Sequence, residues 1–275
     1  MSKLSNATKQ LISLRGAALA PSSSSEHTRL VSLLDRLHTS SSISSSKAAL
    51  LTVATGTFFS LNSPSALQSL WFWSNRSSKD AVLLREAGLK CISFIGIAKV
   101  INNLSVLHQA FSDSGIQSSN LSTKERRSMW SESTNPTFSR GRKLWESVYA
   151  PHADKLIAKL SSYHPDLPVH ILESHYSLLL SDPQPTGPLD RTLTSVVAIA
   201  CLQAQTGVGS QTTSHVFGLK KAVGKEEASE SPKELEAKEQ QWLCSDQGAE
   251  WVLQSVEALR QLITRDEHSL PKAKL

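Results

Sequence analysis

The sequence predicts an all-α protein, and two features of the chain carry that prediction. Apolar residues recur at helical spacing over most of its length. Strand signals are nearly absent, since no hairpin dipeptide lies between alternating runs and no β–α–β rhythm occurs. Of the 275 residues, 39% are hydrophobic, which is enough to build a core without disulfides or structural metals. We therefore expect helices packed around a buried interior.

The uncharged stretch between Lys47 and Arg76 is the most apolar part of the chain. Pro64 follows Ser63 in its middle, a pairing typical of a helix start. Neither half reaches the roughly 20 apolar residues that a membrane-spanning helix needs. The stretch therefore predicts two buried helices in a hairpin and no membrane span.

Further helices are predicted from apolar stripes on either side of this hairpin. The residues from 113 to 139 lose the periodicity and gain Ser, Asn, Thr and Pro, so a long loop is expected there. A helix cap is expected at Ser210. In chain order the helical stripes cover residues 28–38, 79–111 with a break near Gly96, 141–163, 167–180, 189–204, 210–219 and 250–263.

The predicted organisation is one helical domain over residues 26–265, with the loop at about 113–139 and a tail at 266–275. Residues 1–25 are basic, rich in serine and free of acidic residues, which is typical of an organelle transit peptide. The alternative interpretation of residues 1–25 is an ordinary frayed terminus. A mitochondrial location is therefore one prediction and a cytoplasmic location is its alternative.

Charge and cysteine content exclude several classes of protein. The net charge of +5 is small for a chain of this length. Basic residues are concentrated in a segment rich in Ser, Asn and Thr, at Lys124, Arg126, Arg127, Arg140, Arg142 and Lys143. They could contact phosphate, but no aromatic platform accompanies them, so a solvated loop and no nucleic-acid partner are predicted. The 3 cysteines cannot close a disulfide framework, and no pair has the Cys-x-x-Cys spacing of a redox site.

One histidine pattern raises the question of a metal. His170, Glu173 and His175 form the spacing HxxExH. On an α-helix, side chains five positions apart diverge by about 140°, so the two histidines are not expected to share a face. No metal site and no cofactor are predicted.

Residues 188–228 resemble the C-terminal half of the carboxymuconolactone decarboxylase and alkyl hydroperoxidase D (AhpD)-like superfamily. In that layout an apolar helix leads to a helix bearing Gln-x-x-Ser-His-x-x-Gly, followed by a turn and a Glu pair. The matching positions are Gln211, Ser214, His215, Gly218, Glu226 and Glu227. Residues 85–108 and 141–183 are similar to conserved blocks of fungal members, so the resemblance covers roughly residues 45–265. It implies an AhpD-like domain of two helical halves and a homo-oligomer assembled through helical faces.

The departures from this family concern its thiol chemistry. AhpD-type peroxidases use Cys-x-x-Cys followed by His, with an upstream Glu. Val208 and Gln211 stand at the positions of the cysteines, and Val196 stands near that of the acid. Without thiols the site has no peroxidatic nucleophile. The resemblance therefore predicts a protein of unknown substrate that is not a thiol peroxidase.

Three functional interpretations follow. The first is an AhpD-like protein whose activity is lost or changed. The second is an enzyme with lyase-type acid–base chemistry, such as a decarboxylase, using His215 as general acid or base on a small organic acid or lactone. The third is a non-catalytic helical oligomer or scaffold, with Trp71, Phe72 and Trp73 as aromatic anchors or as core residues. His215 is the one predicted catalytic residue, and a packed or capping histidine is the alternative role.

Overall fold

The computed structural model confirms the all-α prediction. It describes residues 6, 8–10, 23–40, 47–116, 121–122, 125–127, 134–183, 187–223 and 237–268, and these ranges contain helices and connecting turns without a strand. The helices in chain order are α1 (Ser24–Thr39), α2 (Lys47–Leu61), α3 (Pro64–Trp73), α4 (Ser78–Lys90), α5 (Ile92–Ile95), α6 (Ile97–Asp113), α7 (Thr134–Tyr149), α8 (Ala153–Tyr163), α9 (Asp166–His170), a π-helical segment (Ile171–Leu180), α10 (Arg191–Gln203), α11 (Gly209–Lys220), α12 (Ala237–Leu243) and α13 (Asp246–His268).

Helices α2 and α10 form the centre of the main hydrophobic core. Every residue of α2 from Ala49 to Ser60 is buried, as is every residue of α10 from Thr192 to Leu202. The two helices cross closely at Gly56, where an added Cβ would lie 2.8 Å from the Cβ of Ala200. The buried hydroxyls of α2 donate to backbone carbonyls four residues earlier, so burial leaves none of them unsatisfied.

The uncharged stretch folds as the predicted hairpin, since α2 and α3 meet at Ser63 and Pro64. Pro64 occupies the first turn of α3, where its missing N–H costs no helical hydrogen bond. The Ser63 side chain makes no capping hydrogen bond. No helix within the described residues is long and apolar enough to cross a membrane.

At the N-terminal end, part of the predicted basic segment belongs to a helix. Ser23 and Glu26 form a reciprocal capping box at the start of α1: the Ser23 hydroxyl accepts from the Glu26 N–H, and the Glu26 carboxylate accepts from the Ser23 N–H. The rest of the predicted transit peptide lies mostly outside the described residues.

Three predicted boundaries need correction. The loop expected over 113–139 ends earlier, because α7 begins at Thr134 and places Pro136 in its first turn, where proline is tolerated. The tail expected at 266–275 begins as helix, since α13 continues to His268. Val208, rather than Ser210, is the N-cap residue of α11.

A second, smaller hydrophobic cluster lies where α7 packs on the π-helical segment. Its buried members are Trp145, Val148, Ala153, Tyr176 and Leu180. Backbone and side-chain hydrogen bonds that span five residues mark the π geometry, from the Ser181 N–H to the Tyr176 carbonyl and from the Ser177 hydroxyl to the Leu172 carbonyl. The description of the fold as two AhpD-like halves stays a prediction.

Gly141 allows α7 to approach the π-helical segment. An added Cβ at this position would lie 2.5 Å from the Cα of Ser177 and 2.6 Å from its backbone nitrogen. Real side chains do not tolerate such contacts with backbone, so the packing of these two elements depends on glycine at position 141.

We predict that Gly141→Ala lowers the free energy of unfolding by about 1–3 kcal/mol, as overpacking does in well-packed cores. Gly209→Ala is the matched control, because an added Cβ at Gly209 meets nothing within 4 Å. Urea unfolding of both variants measures the difference. Equal stabilities for the two variants would show that the π-helical segment shifts freely away from α7.

Candidate functional site

His215 lies on α11 with its side chain turned into the protein, and the residue is only 7% exposed. The edge of its ring meets Phe94, with ring centroids 5.6 Å apart. Burial, and secondarily the nearby Arg191 cation, lowers the pKa of His215 from 6.5 to about 4. The imidazole is therefore neutral at neutral pH.

Two tyrosines, the buried Tyr176 and the partly buried Tyr149, form a hydrogen-bonded chain to His215. The Tyr176 hydroxyl donates to the Tyr149 hydroxyl over 3.1 Å, and the Tyr149 oxygen lies 3.4 Å from Nε2 of His215. The second distance is at the long end of hydrogen bonding. Burial raises the pKa of both phenols, so both remain protonated at neutral pH and can donate toward the imidazole.

Arg191, the first residue of α10, lies close enough to His215 to act on its charge. Its guanidinium donates to the Ser147 hydroxyl at 2.8 Å, the Gly218 carbonyl at 3.1 Å and the Ser195 hydroxyl. All three acceptors are neutral, and within the described residues Arg191 has no carboxylate within salt-bridge distance. Burial lowers the pKa of Arg191, yet guanidinium stays protonated in proteins. The site therefore contains a partly buried cation whose hydrogen-bond partners are neutral, with the Asp190 carboxylate as a favourable charge nearby.

A small cavity lies between Tyr176, Arg191 and His215. Its volume is about 10 Å³, close to the roughly 10–15 Å³ that holds one water molecule. Apolar side chains make up most of the wall, and the polar groups converge from α10 and α11. The lining residues are Phe94, Leu144, Val148, Tyr176, Leu180, Arg191, Thr194, Ser195, Ala198 and His215.

Lys90 lies directly behind this cavity wall and is 1% exposed. Its ammonium donates to the Leu180 carbonyl at 2.9 Å and to the hydroxyl of Thr194 at 2.8 Å. Burial lowers the pKa of Lys90 to about 8, although Glu86 and Asp182 act in the opposite direction. A second cation therefore lies one side chain away from the cavity.

Glu86 and Asp182 belong to a partly buried ion cluster with two arginines of the long loop. Arg126 donates to Asp182 at 2.7 Å and to Glu86 at 3.1 Å, and Arg127 also binds Glu86. Burial raises the pKa of Glu86, but Lys90 and the arginines outweigh that effect and hold it below its usual value. The prediction of a solvated basic loop is therefore wrong for Arg126 and Arg127, because their charges are neutralised by buried carboxylates.

The residues that carry the family resemblance do not all reach the cavity. His215 lines it, and Gly218 borders it by accepting from Arg191 through its carbonyl. Gln211 is exposed, and the Ser214 hydroxyl donates to the Ser210 carbonyl of its own helix. Glu226 and Glu227 lie outside the described residues.

The described residues hold no group of three or more side chains suited to a metal. The prediction that His170 and His175 do not share a face is nevertheless wrong. Their ring centroids lie 5.1 Å apart, because the segment that begins at Ile171 is π-helical and brings positions five apart onto one side.

The chain gave no match in comparisons with protein-family models, with curated proteins and with solved structures. Membership of the AhpD-like superfamily therefore stays a prediction.

Sequence reasoning missed four members of the site: Tyr149, Tyr176, Arg191 and Lys90. The local sequence marks two of them. Lys90 is a charged residue directly before Cys91 of an apolar stripe, and Arg191 begins the apolar run of α10. No sequence pattern marks Tyr149 or Tyr176, because they come together only through the tertiary contact between α7 and the π-helical segment.

The lowered pKa of His215 predicts a loss of stability in acid. The unfolded chain takes up this proton near pH 6.5 and the folded protein only near pH 4, so the contribution is fully present above pH 6.5 and is lost as the pH falls toward 4. We expect the fall in unfolding free energy from pH 7 to pH 5 to be larger in the natural protein than in His215→Gln by about 2 kcal/mol. Urea titrations at both pH values measure it, with the exposed His108 replaced by Gln as the control. A fall of the same size in His215→Gln would mean that His215 titrates normally in the folded state.

Proposed function

We propose that the chain is an AhpD-like, carboxymuconolactone decarboxylase-like protein without thiol peroxidase activity, whose cavity at His215 is an acid–base site for a small molecule that carries a carboxylate. The observation that supports this most directly is the position of Arg191. It is a partly buried guanidinium beside a histidine, and its hydrogen-bond partners are all neutral.

Burying a charge is costly unless it is well paired. Arg191 makes no ion pair within the described residues, although the neighbouring Asp190 carboxylate acts favourably on its charge. Arg191 is held by neutral acceptors at the wall of the cavity, where a carboxylate is the complementary ligand for a planar guanidinium. The hydroxyls of Ser195 and Thr194 add polar contacts on the same side of α10. The wall thus presents cationic and hydroxyl groups to one end of a ligand.

The proton chemistry in this proposal belongs to His215 and the tyrosines. A neutral imidazole accepts a proton, and the phenol chain from Tyr176 through Tyr149 can donate toward Nε2. A carboxylate bound at Arg191 would offset the guanidinium charge that depresses the pKa of His215, and so would make the imidazole a stronger base only when substrate is present. Decarboxylation or lactone chemistry requires such a group to take up or deliver a proton at carbon or oxygen.

The size of the cavity means that substrate entry requires movement. Phe94 forms one wall and belongs to α5, which has only 4 residues and ends at Gly96, a residue with φ of 79°. Glycine adopts such a conformation without strain and so can absorb a change in backbone direction at the end of this short helix. We infer that displacement of α5 opens the site.

The scaffold interpretation has one specific observation in its favour. Ile97 and Ile101 lie four residues apart on α6 and are 62% and 60% exposed, so they form an apolar pair on the surface. Of the predicted aromatic anchors, Trp71 is buried in the core, whereas Phe72 is 55% exposed. If the family resemblance holds, this surface of α6 would bind a second copy of the chain.

The substrate proposal predicts that small carboxylic acids bind and that their amides do not. We expect mono- and dicarboxylates of three to six carbons to raise the thermal midpoint of the natural protein, and Arg191→Lys to weaken their binding by about ten- to a hundredfold through loss of the two-pronged hydrogen bond. Calorimetric titration measures the affinities. His215→Gln should keep binding and lose turnover of any acid or lactone that the natural protein converts.

Arg142→Gln is the control for this experiment, because Arg142 is an exposed arginine paired with Glu146 on α7. Binding that is equal for acids and amides, or unchanged in Arg191→Lys, would overturn the proposal. Rapid thiol-dependent reduction of hydroperoxides would contradict the proposed absence of thiol peroxidase activity.

The scaffold interpretation predicts a homo-oligomer in solution. Light scattering after size exclusion should give at least a dimer at micromolar concentration, and Ile97→Lys combined with Ile101→Lys should shift it to monomer. A monomeric natural protein would remove this interpretation.

A further inference from the structure

The π-helical segment creates a pair of histidines that an α-helix would keep apart. His170 ends α9 and His175 lies within the π-helical segment, and their rings meet edge to face with centroids 5.1 Å apart and an interplanar angle of 88°. Two imidazoles that share one tetrahedral ion through metal–nitrogen bonds of about 2 Å have centroids roughly 5 Å apart. The spacing of the two rings is therefore already that of a chelating pair.

Each of these rings is anchored through the same nitrogen. Nδ1 of His170 lies 3.2 Å from the Ser174 hydroxyl, and Nδ1 of His175 lies 3.1 Å from the hydroxyl of Ser93 on α5. When Nδ1–H donates to a hydroxyl oxygen, Nε2 carries the free electron pair. Metal-binding histidines almost always have their second nitrogen held in this way, which fixes both the tautomer and the ring orientation.

The accessibility of the two rings also suits ligation. His170 is exposed and His175 is partly exposed, so an ion can reach both rings and keep open positions for water or an external ligand.

We propose that His170 and His175 form a two-histidine site for a divalent transition metal of the zinc, copper and nickel class, bound through the Nε2 atoms with the remaining positions open. Imidazole favours these ions, whereas calcium and magnesium require oxygen ligands. Because the rings meet only when the chain is π-helical, a bound ion selects that geometry over an α-helical one. The site thus links metal binding to the segment that holds Tyr176 at the wall of the cavity.

The test uses the full chain without a polyhistidine tag, stripped of metals by a chelator. We expect calorimetric titration with Zn²⁺ or Ni²⁺ at pH 7.5 to show one ion per chain, and Mg²⁺ to show none. His170→Gln and His175→Gln should each weaken binding by about tenfold or more, since loss of even an outer hydrogen bond costs that much in other metal sites. His108→Gln, at an exposed histidine on α6, is the matched control.

Two further measurements separate a built site from casual binding by surface histidines. Ser93→Ala and Ser174→Ala keep both imidazoles and remove their anchors, so we expect each to weaken Zn²⁺ binding by about tenfold. Zn²⁺ should also raise the thermal midpoint of the natural protein but not that of the double variant His170→Gln/His175→Gln, because an ion that binds only the folded state stabilises it. The proposal is wrong if the double variant binds Zn²⁺ as tightly as the natural protein, or if the serine variants bind it unchanged.

Discussion

The close crossing of α2 and α10 at Gly56 is the contact on which both the core and the candidate site depend. Val197, Ala200 and Cys201 face this crossing on one side of α10. The other side presents residues 191, 194, 195 and 198 to the cavity, a spacing that places them in one row along a helix. Because α10 is buried from Thr192 to Leu202, it cannot rotate without exposing apolar surface. Packing of the core therefore fixes which side chains line the site.

The polar interior is held together by charges that bridge separate elements. Lys90, at the end of α4, joins the last carbonyl of the π-helical segment to Thr194 on α10, and so connects the smaller hydrophobic cluster to the main core. Glu86, one turn earlier, binds the two loop arginines. Buried charges of this kind add little net stability, but they penalise any packing that would separate them from their partners. The Lys90 contacts thus set the position of Leu180, which also lines the cavity.

Helix positions were predictable from the sequence because apolar stripes are local signals. The break at Gly96, the hairpin at Pro64 and the buried run of α10 could all be read from neighbouring residues. The π-helical segment could not be predicted in this way, since its apolar residues from Val169 to Leu180 fit an α-helical spacing. Its geometry accompanies the close approach of Ser177 to Gly141, which is a tertiary contact. His215 was found through a family resemblance. Tyr149, Tyr176 and Arg191 become its neighbours only through tertiary contacts between residues far apart in the chain.

The three cysteines lie where their reactivity depends on opening of the core. Cys91, Cys201 and Cys244 are all buried, and none of them forms a disulfide. Burial raises the pKa of Cys91 well above its usual value, with Cys201 beside it adding to the effect. Thiol reagents attack the thiolate and need access to it, so none of these groups reacts while the core is closed. The rate at which an alkylating reagent modifies them therefore reports how often the core opens. The cysteines thus serve as built-in probes of core opening, with Cys201 in α10, Cys91 directly after α4 and Cys244 directly after α12.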